Sequence, residues 1–433
     1  MRSMILASLL ATPVAAQTAQ PNDVTVVHAG RLLARADRAA EGPSTLTIRN
    51  GKVERVERGH TTPPPGATLV DLSAMTVLPG LIDAHVHLDS DRAGNEGLLA
   101  AFTESVPLRA YEAQVNARKT LEAGFTTVRN LGDRGGVTLA LRDAIARGWV
   151  EGPRIVDAAE SISTTSGHMD GRLGLNDDTA EVAAHTANLC DGPDDCRRAV
   201  RRQVGRGADV IKIATTAGVN SVVAAGLGQQ MFDDEVRAVV ETAHLLGKKV
   251  AVHAHGASGI AAALRAGADS IEHGTLMEEA EVALFRRSGA YYVPTLSTVN
   301  GYKERLARDP NAYSPAVRAK IEWRIGVTGK ALERATKGGV KIAFGTDAGV
   351  SKHGRNADEF ELMVEHGMTS RSALVAATIG AADLLGLSAE VGTLEPGKAA
   401  DLIAVAGDPL ADVRVLKTVR FVMRGGQVAK PLR

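Results

Sequence analysis

The sequence predicts an α/β protein: a (β/α)8 (TIM) barrel carrying a small β-sandwich domain built from both termini. Three observations predict it. Eight strand-like runs alternate with helical text over roughly 260 residues in the middle of the chain. Short β-forming runs broken by turns stand near both ends. Histidine, lysine and aspartate recur where the middle strands end, the face on which a barrel gathers its active-site residues.

Composition bounds the reading. The chain has 433 residues, 44% of them apolar, with 50 Lys+Arg against 50 Asp+Glu. That length holds one large barrel and a smaller domain, and that apolar share excludes wholesale disorder. Zero formal net charge argues against nucleic acid or an anionic membrane as the main partner, since both favour a basic excess. The 2 Cys cannot build a cysteine-rich zinc module, so any metal falls to carboxylates and to the 12 His.

The elements follow in order. Arg2, the apolar run Met4–Leu10 and the small residues Val14-Ala15-Ala16 read as a signal peptide over 1–16, cleaved before Gln17, which predicts export to a periplasm. The apolar run is too short to span a bilayer. Residues 17–80 and 390–433 supply the composite β-domain. Its strands are expected at Val24–His28, Thr45–Arg49, Lys52–Glu57, Ala67–Leu72, Ala400–Val405, Arg420–Met423 and Gln427–Ala429. Asn50-Gly51 marks a hairpin between the second and third. Residues 81–389 form the barrel, with strands at Leu81–Leu88, Thr126–Asp133, Arg154–Ser163, Ala208–Thr215, Lys249–Gly256, Ser270–Thr275, Tyr292–Thr298 and Lys341–Ala348. Amphipathic helices are expected between them, for example Asp233–Leu246 and Ala257–Ala266. A doubly wound open sheet is the rival, but no glycine-rich phosphate fingerprint follows an early strand. Thr164–Gly207 is long and polar and reads as an insertion at the barrel mouth. In an oxidising compartment Cys190 and Cys196 can pair across it; two free thiols are the alternative.

The strand ends carry the chemistry. His85 and His87 close the first strand and, two apart, face the same way. Lys212 lies in the fourth strand, His253 and His255 close the fifth, His273 the sixth and Asp347 the eighth. Any one buried histidine is more often a hydrogen-bonded core residue than a ligand. Five histidines and an aspartate converging on one face would be a costly buried polar cluster, and a metal removes that cost. Lys212 inside an apolar strand must be paired, neutral or modified. An ion pair with Asp347 and a carbamate formed with carbon dioxide are the two readings. His28, His60, His185, His244 and His366 read as surface or packing residues.

These residues resemble the amidohydrolase superfamily. The resemblance rests on Pro79-Gly80-Leu81-Ile82-Asp83-Ala84-His85-Val86-His87, Val210-Ile211-Lys212, Val252-His253-Ala254-His255-Gly256, Ile271-Glu272-His273-Gly274 and Gly345-Thr346-Asp347-Ala348-Gly349. Within it, the chain looks most like the prolidase and carboxypeptidase-type dipeptidases, which include bacterial ochratoxin-type amidohydrolases. The resemblance implies two divalent ions, usually zinc. His85, His87 and Asp347 would hold one, His253 and His273 the other, and N-carboxylated Lys212 would bridge them. Relatives often carry tyrosine where this chain has His255, which assigns His255 to substrate and oxyanion stabilisation. Water activated between the ions would attack the amide carbonyl, with Asp347 taking its proton and passing it to the leaving amine. His168, in Ser166-Gly167-His168-Met169-Asp170, would touch a substrate carboxylate. Ser90, Tyr292 and His353 are further candidate substrate contacts.

The expected reaction is hydrolysis of the amide bond of a dipeptide or N-acyl amino acid, ochratoxin-type amides included. A cyclic-amide, lactone or phosphotriester hydrolase on the same two-metal site is the alternative enzyme. A non-catalytic scaffold of the same fold is the alternative of another class. Imidazolonepropionases and deaminases fit less well, because those relatives use one metal and lack the strand-four lysine. The expected partner is a small-molecule amide, with no nucleic acid and no membrane insertion, and relatives are commonly homo-oligomers.

Overall fold

The computed structural model describes residues 24–184, 188–223 and 226–432. The expected signal segment over 1–16, and His185, lie outside the described residues.

Both ends of the chain build one sheet. Its early strands are β1 (Val24–Leu32), β2 (Ser44–Arg49), β3 (Lys52–Arg58) and β4 (Thr68–Pro79). Eight short strands follow: β5 (Leu81–Val86), β6 (Phe125–Asn130), β7 (Arg154–Asp157), β8 (Val210–Ala214), β9 (Lys249–Ala254), β10 (Ser270–His273), β11 (Tyr291–Val293) and β12 (Lys341–Ile342). The last are β13 (Leu402–Val405), β14 (Val419–Arg424) and β15 (Gln427–Lys430). The order β15-β14-β13-β4-β1-β2-β3 makes a seven-stranded mixed sheet in which β4 pairs parallel to β1 and antiparallel to β13. Among the described residues these seven strands form one hydrogen-bonded sheet, whose edge strand β3 comes back to the segment before β13 through the Lys52–Ala399 bridge and the bond from Val53 N to Lys398 O (2.9 Å). One face of it buries Val27, Leu46, Leu72, Leu402 and Phe421 in a core of its own. The β2–β3 hairpin turns on Asn50 (φ 52°) and Gly51 (φ 73°), the left-handed pair that a two-residue turn requires.

All eight middle strands pair in parallel, as β5-β6-β7 and β8-β9-β10-β11-β12. β5, β6, β8 and β10 are buried at every position, yet they carry polar and charged residues among the apolar ones, Asp83 and His85 in β5, Arg129 in β6, Lys212 in β8 and Glu272 in β10. Main-chain bonds also cross between the two sheets at both edges. Ile162 N donates to Lys212 O (2.8 Å), and Asp347 N donates to His85 O (2.7 Å). The ladders themselves stop short of one continuous eight-stranded sheet.

Several strands end sooner than expected. β7 stops at Asp157, before the left-handed Ala159 (φ 55°), and β11 stops before Pro294, which has no N–H for a ladder. The stretch 164–207 is only partly loop. Pro193–Arg206 is a helix that buries Cys196, Ala199, Val200 and Gln203, a helical stripe hidden in the text by its run of charges. Cys190 and Cys196 form a disulfide at its start. No described helix is long and apolar enough to cross a membrane.

Candidate metal centre

The ends of the middle strands meet around one cavity. Its lining includes His85, His87, His168, Lys212, His253, His255, His273 and Asp347. Two groups of three lie close enough to share an ion: His85, His87 and Asp347, and His253, His255 and His273, each with ligand atoms within 4.8 Å of one another. Asp347 Oδ1 stands 3.5 Å from His85 Nε2 and 3.4 Å from His87 Nε2. The rings of His85 and His273 lie 5.2 Å apart, so the groups adjoin.

The imidazoles are held from behind. His85 Nδ1 donates to Glu272 (2.9 Å) and His87 Nδ1 to the carbonyl of Gly132 (2.9 Å), which leaves each Nε2 lone pair facing its neighbours. Thr275 pairs with His255 Nδ1 at 2.8 Å, and Thr295 with His273 Nδ1 at 2.7 Å. Glu272 is itself fixed by Arg129 (2.9 Å) and Ser270 (2.5 Å). Burial depresses His85, His253, His255 and His273 well below the usual imidazole range, with neighbouring positive charge adding to it. They are neutral bases near pH 7, the form that ligates metal.

Two buried nitrogens test the fit. Lys212 Nζ and His253 Nε2 have no hydrogen-bond partner, and both side chains are nearly fully buried. Such orphans are costly unless something fills them. The ion pair between Lys212 and Asp347 weighed as an alternative does not form. Desolvation lowers Lys212 to about 8, which raises the share of free amine that can react with carbon dioxide. Burial raises Asp347, the direction a proton acceptor working near neutrality requires. The donor set fits a pair of divalent ions.

Backbone geometry is bent to serve this cluster. His273 (φ 70°) and Asp347 (φ 56°) both adopt the left-handed region, uncommon for residues with a side chain and typical of functional sites. Gly345 lets the segment before Asp347 pass His85: a Cβ there would meet His85 Cβ at 3.0 Å and Val293 Cγ1 at 2.4 Å.

The expected substrate contacts divide. His255 and His168 line the cavity, and the His168 ring lies 4.1 Å from that of His253. His255 stands with His253 and His273 in one potential ligand group, closer to the metal positions than expected. Ser90, Tyr292 and His353 do not line it. Ser90 Oγ accepts from Arg92 N (3.0 Å), Tyr292 Oη donates to the carbonyl of His273 (3.0 Å), and His353 Nδ1 pairs with Asp91 (2.5 Å). The Ser90 and Tyr292 hydroxyls and His353 Nδ1 are thus engaged in holding backbone or loop, while His353 Nε2 is buried without a partner. Sequence reasoning missed Arg129 and Glu272 behind His85, and Tyr302 and Arg324 in the cavity wall. A charge in each of two buried strands signalled the first pair. Nothing in helical text signalled the second.

Fold and cluster together define a hydrolase working from the C-terminal ends of parallel strands. The chain belongs to the amidohydrolase family, whose model matches residues 76–429. It is a hydrolase acting on amide bonds. Ochratoxinase of Aspergillus niger is 32% identical over 376 residues, covering 82% of this chain and 75% of that protein. A Xaa-Pro dipeptidase solved with methionine in its active site superposes with TM-score 0.87 at 39% identity, covering 94% of this chain and 99% of that one. A prolidase solved with N-methylphosphonate-L-proline gives TM-score 0.85 at 29% identity, covering 94% and 100%.

Proposed function

We propose that this chain is a two-metal hydrolase of dipeptides and N-acyl amino acids, ochratoxin-type amides included. The observation that carries the reading is the pair of adjoining ligand groups with unpartnered Lys212 Nζ among the same cavity-lining residues. His85, His87 and Asp347 would hold one divalent ion, zinc in our reading, and His253 and His273 the other. N-carboxylated Lys212 would link them. The ions, when bound, supply Lewis acidity for the amide carbonyl and lower the pKa of water between them.

The protein's own residues do the rest. Asp347, buried at the cavity, accepts the proton of the attacking water and returns it to the leaving amine nitrogen. His255, its Nδ1 fixed by Thr275, presents its other nitrogen to the carbonyl oxygen as negative charge develops there. His168 contacts the substrate from the loop after β7. Glu272 and Arg129 hold His85 in the orientation that points Nε2 at the site.

The same reading extends to architecture and location. The eight parallel strands close as a barrel spanning 81–389, and segments 17–80 and 390–433 form the second domain. The protein is exported after cleavage of residues 1–16. The Cys190–Cys196 disulfide supports this, since such bonds persist in oxidising compartments. A homo-oligomer is the proposed assembly. A panel of dipeptides and N-acyl amino acids, run beside lactones and phosphotriesters with zinc-loaded enzyme, tests the substrate class. Turnover confined to the lactones or phosphotriesters would overturn it.

A further inference from the structure

We propose that Arg324 holds the free carboxylate of the substrate's C-terminal residue and makes the enzyme selective for amides with an unblocked carboxyl end. The proposal rests on the N-acyl amino acid and dipeptide reading above and deepens it.

Arg324 lies on the helix Pro315–Gly326 and is 3% exposed, yet it lines the same cavity as the histidine cluster. A guanidinium offers five donors. Its one side-chain acceptor is Thr328 Oγ1, at 3.2 Å from Nη1, and among the described residues no carboxylate pairs with it. Glu359 and Asp347 act on it only through space and form no ion pair with it, so the guanidinium stays buried with donors unpaired, and a ligand that brings an anion against it offsets that cost.

The nearby cations do not share this property. Arg305 donates to the carbonyls of Val350, Gly349 and Asp91. Lys320 Nζ donates to the carbonyls of Gly218 (2.8 Å) and Ser221. Both are satisfied by backbone. Lys212, the other fully basic side chain lining the cavity, is assigned to the metals. His168 has Nδ1 engaged with Ser221 Oγ (2.8 Å), which leaves one nitrogen for a substrate. Arg324 therefore provides the planar fork that matches a carboxylate in two parallel bonds. Val219, Tyr302 and Val350 line the cavity with it and offer apolar surface for the side chain of that residue.

The test uses matched substrates, each an N-acyl amino acid and the same compound with its carboxyl converted to a primary amide. Zinc-loaded wild type should favour the free acid by about 100-fold in kcat/KM, mostly through KM, the factor expected for hydrogen bonds to a charged group. Arg324→Met should lower kcat/KM for the acid by about 100-fold and leave the blocked partner within a few-fold. Arg324→Lys should recover part of the loss. Equal cleavage of both partners by wild type overturns the proposal, as does a variant that slows both by the same factor. Hydrolysis of neither partner overturns the underlying substrate reading and the proposal with it. If Arg324→Met fails to fold by circular dichroism, the wild-type comparison and Arg324→Lys decide.

Discussion

Glu272→Gln should destabilise the protein and loosen its metal together, although Glu272 touches no proposed substrate position. Glu272 is fully buried. One carboxylate oxygen accepts from His85 Nδ1 at 2.9 Å, and the other accepts from Arg129 at 2.9 Å and Ser270 at 2.5 Å. Glutamine keeps one acceptor and puts an amide nitrogen where the other stood. Arg129, 1% exposed, then remains a buried cation whose counter-charge has gone. Breaking such a pair from one side costs about 3–5 kcal/mol. His85 also loses an orienting partner, which costs roughly 10–100-fold in metal affinity. Calorimetric melting and zinc competition against a chelator read the two effects. Adding Arg129→Met to the variant should recover part of the stability, because the stranded charge is gone. A variant with wild-type melting temperature and wild-type zinc affinity would refute the reasoning.

Other residues make separable predictions. Asp347→Asn should cut kcat at least about 100-fold, the lower range for losing a general base, while retaining most bound metal; wild-type turnover removes Asp347 from proton transfer. Lys212→Ala should lose metal by elemental analysis, and an unmodified Lys212 in a crystal with both ions bound would reject the carbamate. Burial, reinforced by Asp133, raises Asp157 from 3.8 to about 7. The folded state keeps a proton that the unfolded state has released, so this contribution to stability is full below about pH 4 and is lost as pH rises through about 7. Asp157→Asn retains an acceptor for Ala159 N and abolishes that slope. Its melting temperature should gain on wild type between about pH 5 and about pH 8, and parallel curves would show that Asp157 does not titrate with folding.

Much of the centre is legible in the sequence because strand geometry is local. His85 and His87, two apart on one strand, share a face by the pleat alone. Lys212 stands out because a charge in Val210–Ala214 breaks an otherwise apolar run. The order of the middle strands follows from parallel text alternating with helices. What escaped depends on long-range contacts. Tyr292 and His353 are polar residues near the right strand ends, but neither lines the cavity, and the Tyr292 hydroxyl and His353 Nδ1 are taken by the His273 carbonyl and by Asp91. Arg324 reaches the cavity from a helix 23 residues before Asp347, and no spacing rule connects them. The helix Pro193–Arg206 was obscured because its buried stripe, Cys196, Ala199, Val200 and the polar Gln203, stands among many charges. The sheet shared by the termini was foreseen from strand text at both ends. Its strand order depends on β4 bridging β1 and β13, a pairing that composition does not encode.

The central claim is that the two ligand groups hold metal that the reaction requires. Elemental analysis of the purified protein, run beside hydrolysis of an N-acyl amino acid before and after chelation, tests it most directly. We expect two divalent ions per chain, loss of hydrolysis as they are stripped, and recovery when zinc is returned. Full hydrolysis by a chain stripped of its metal would contradict it.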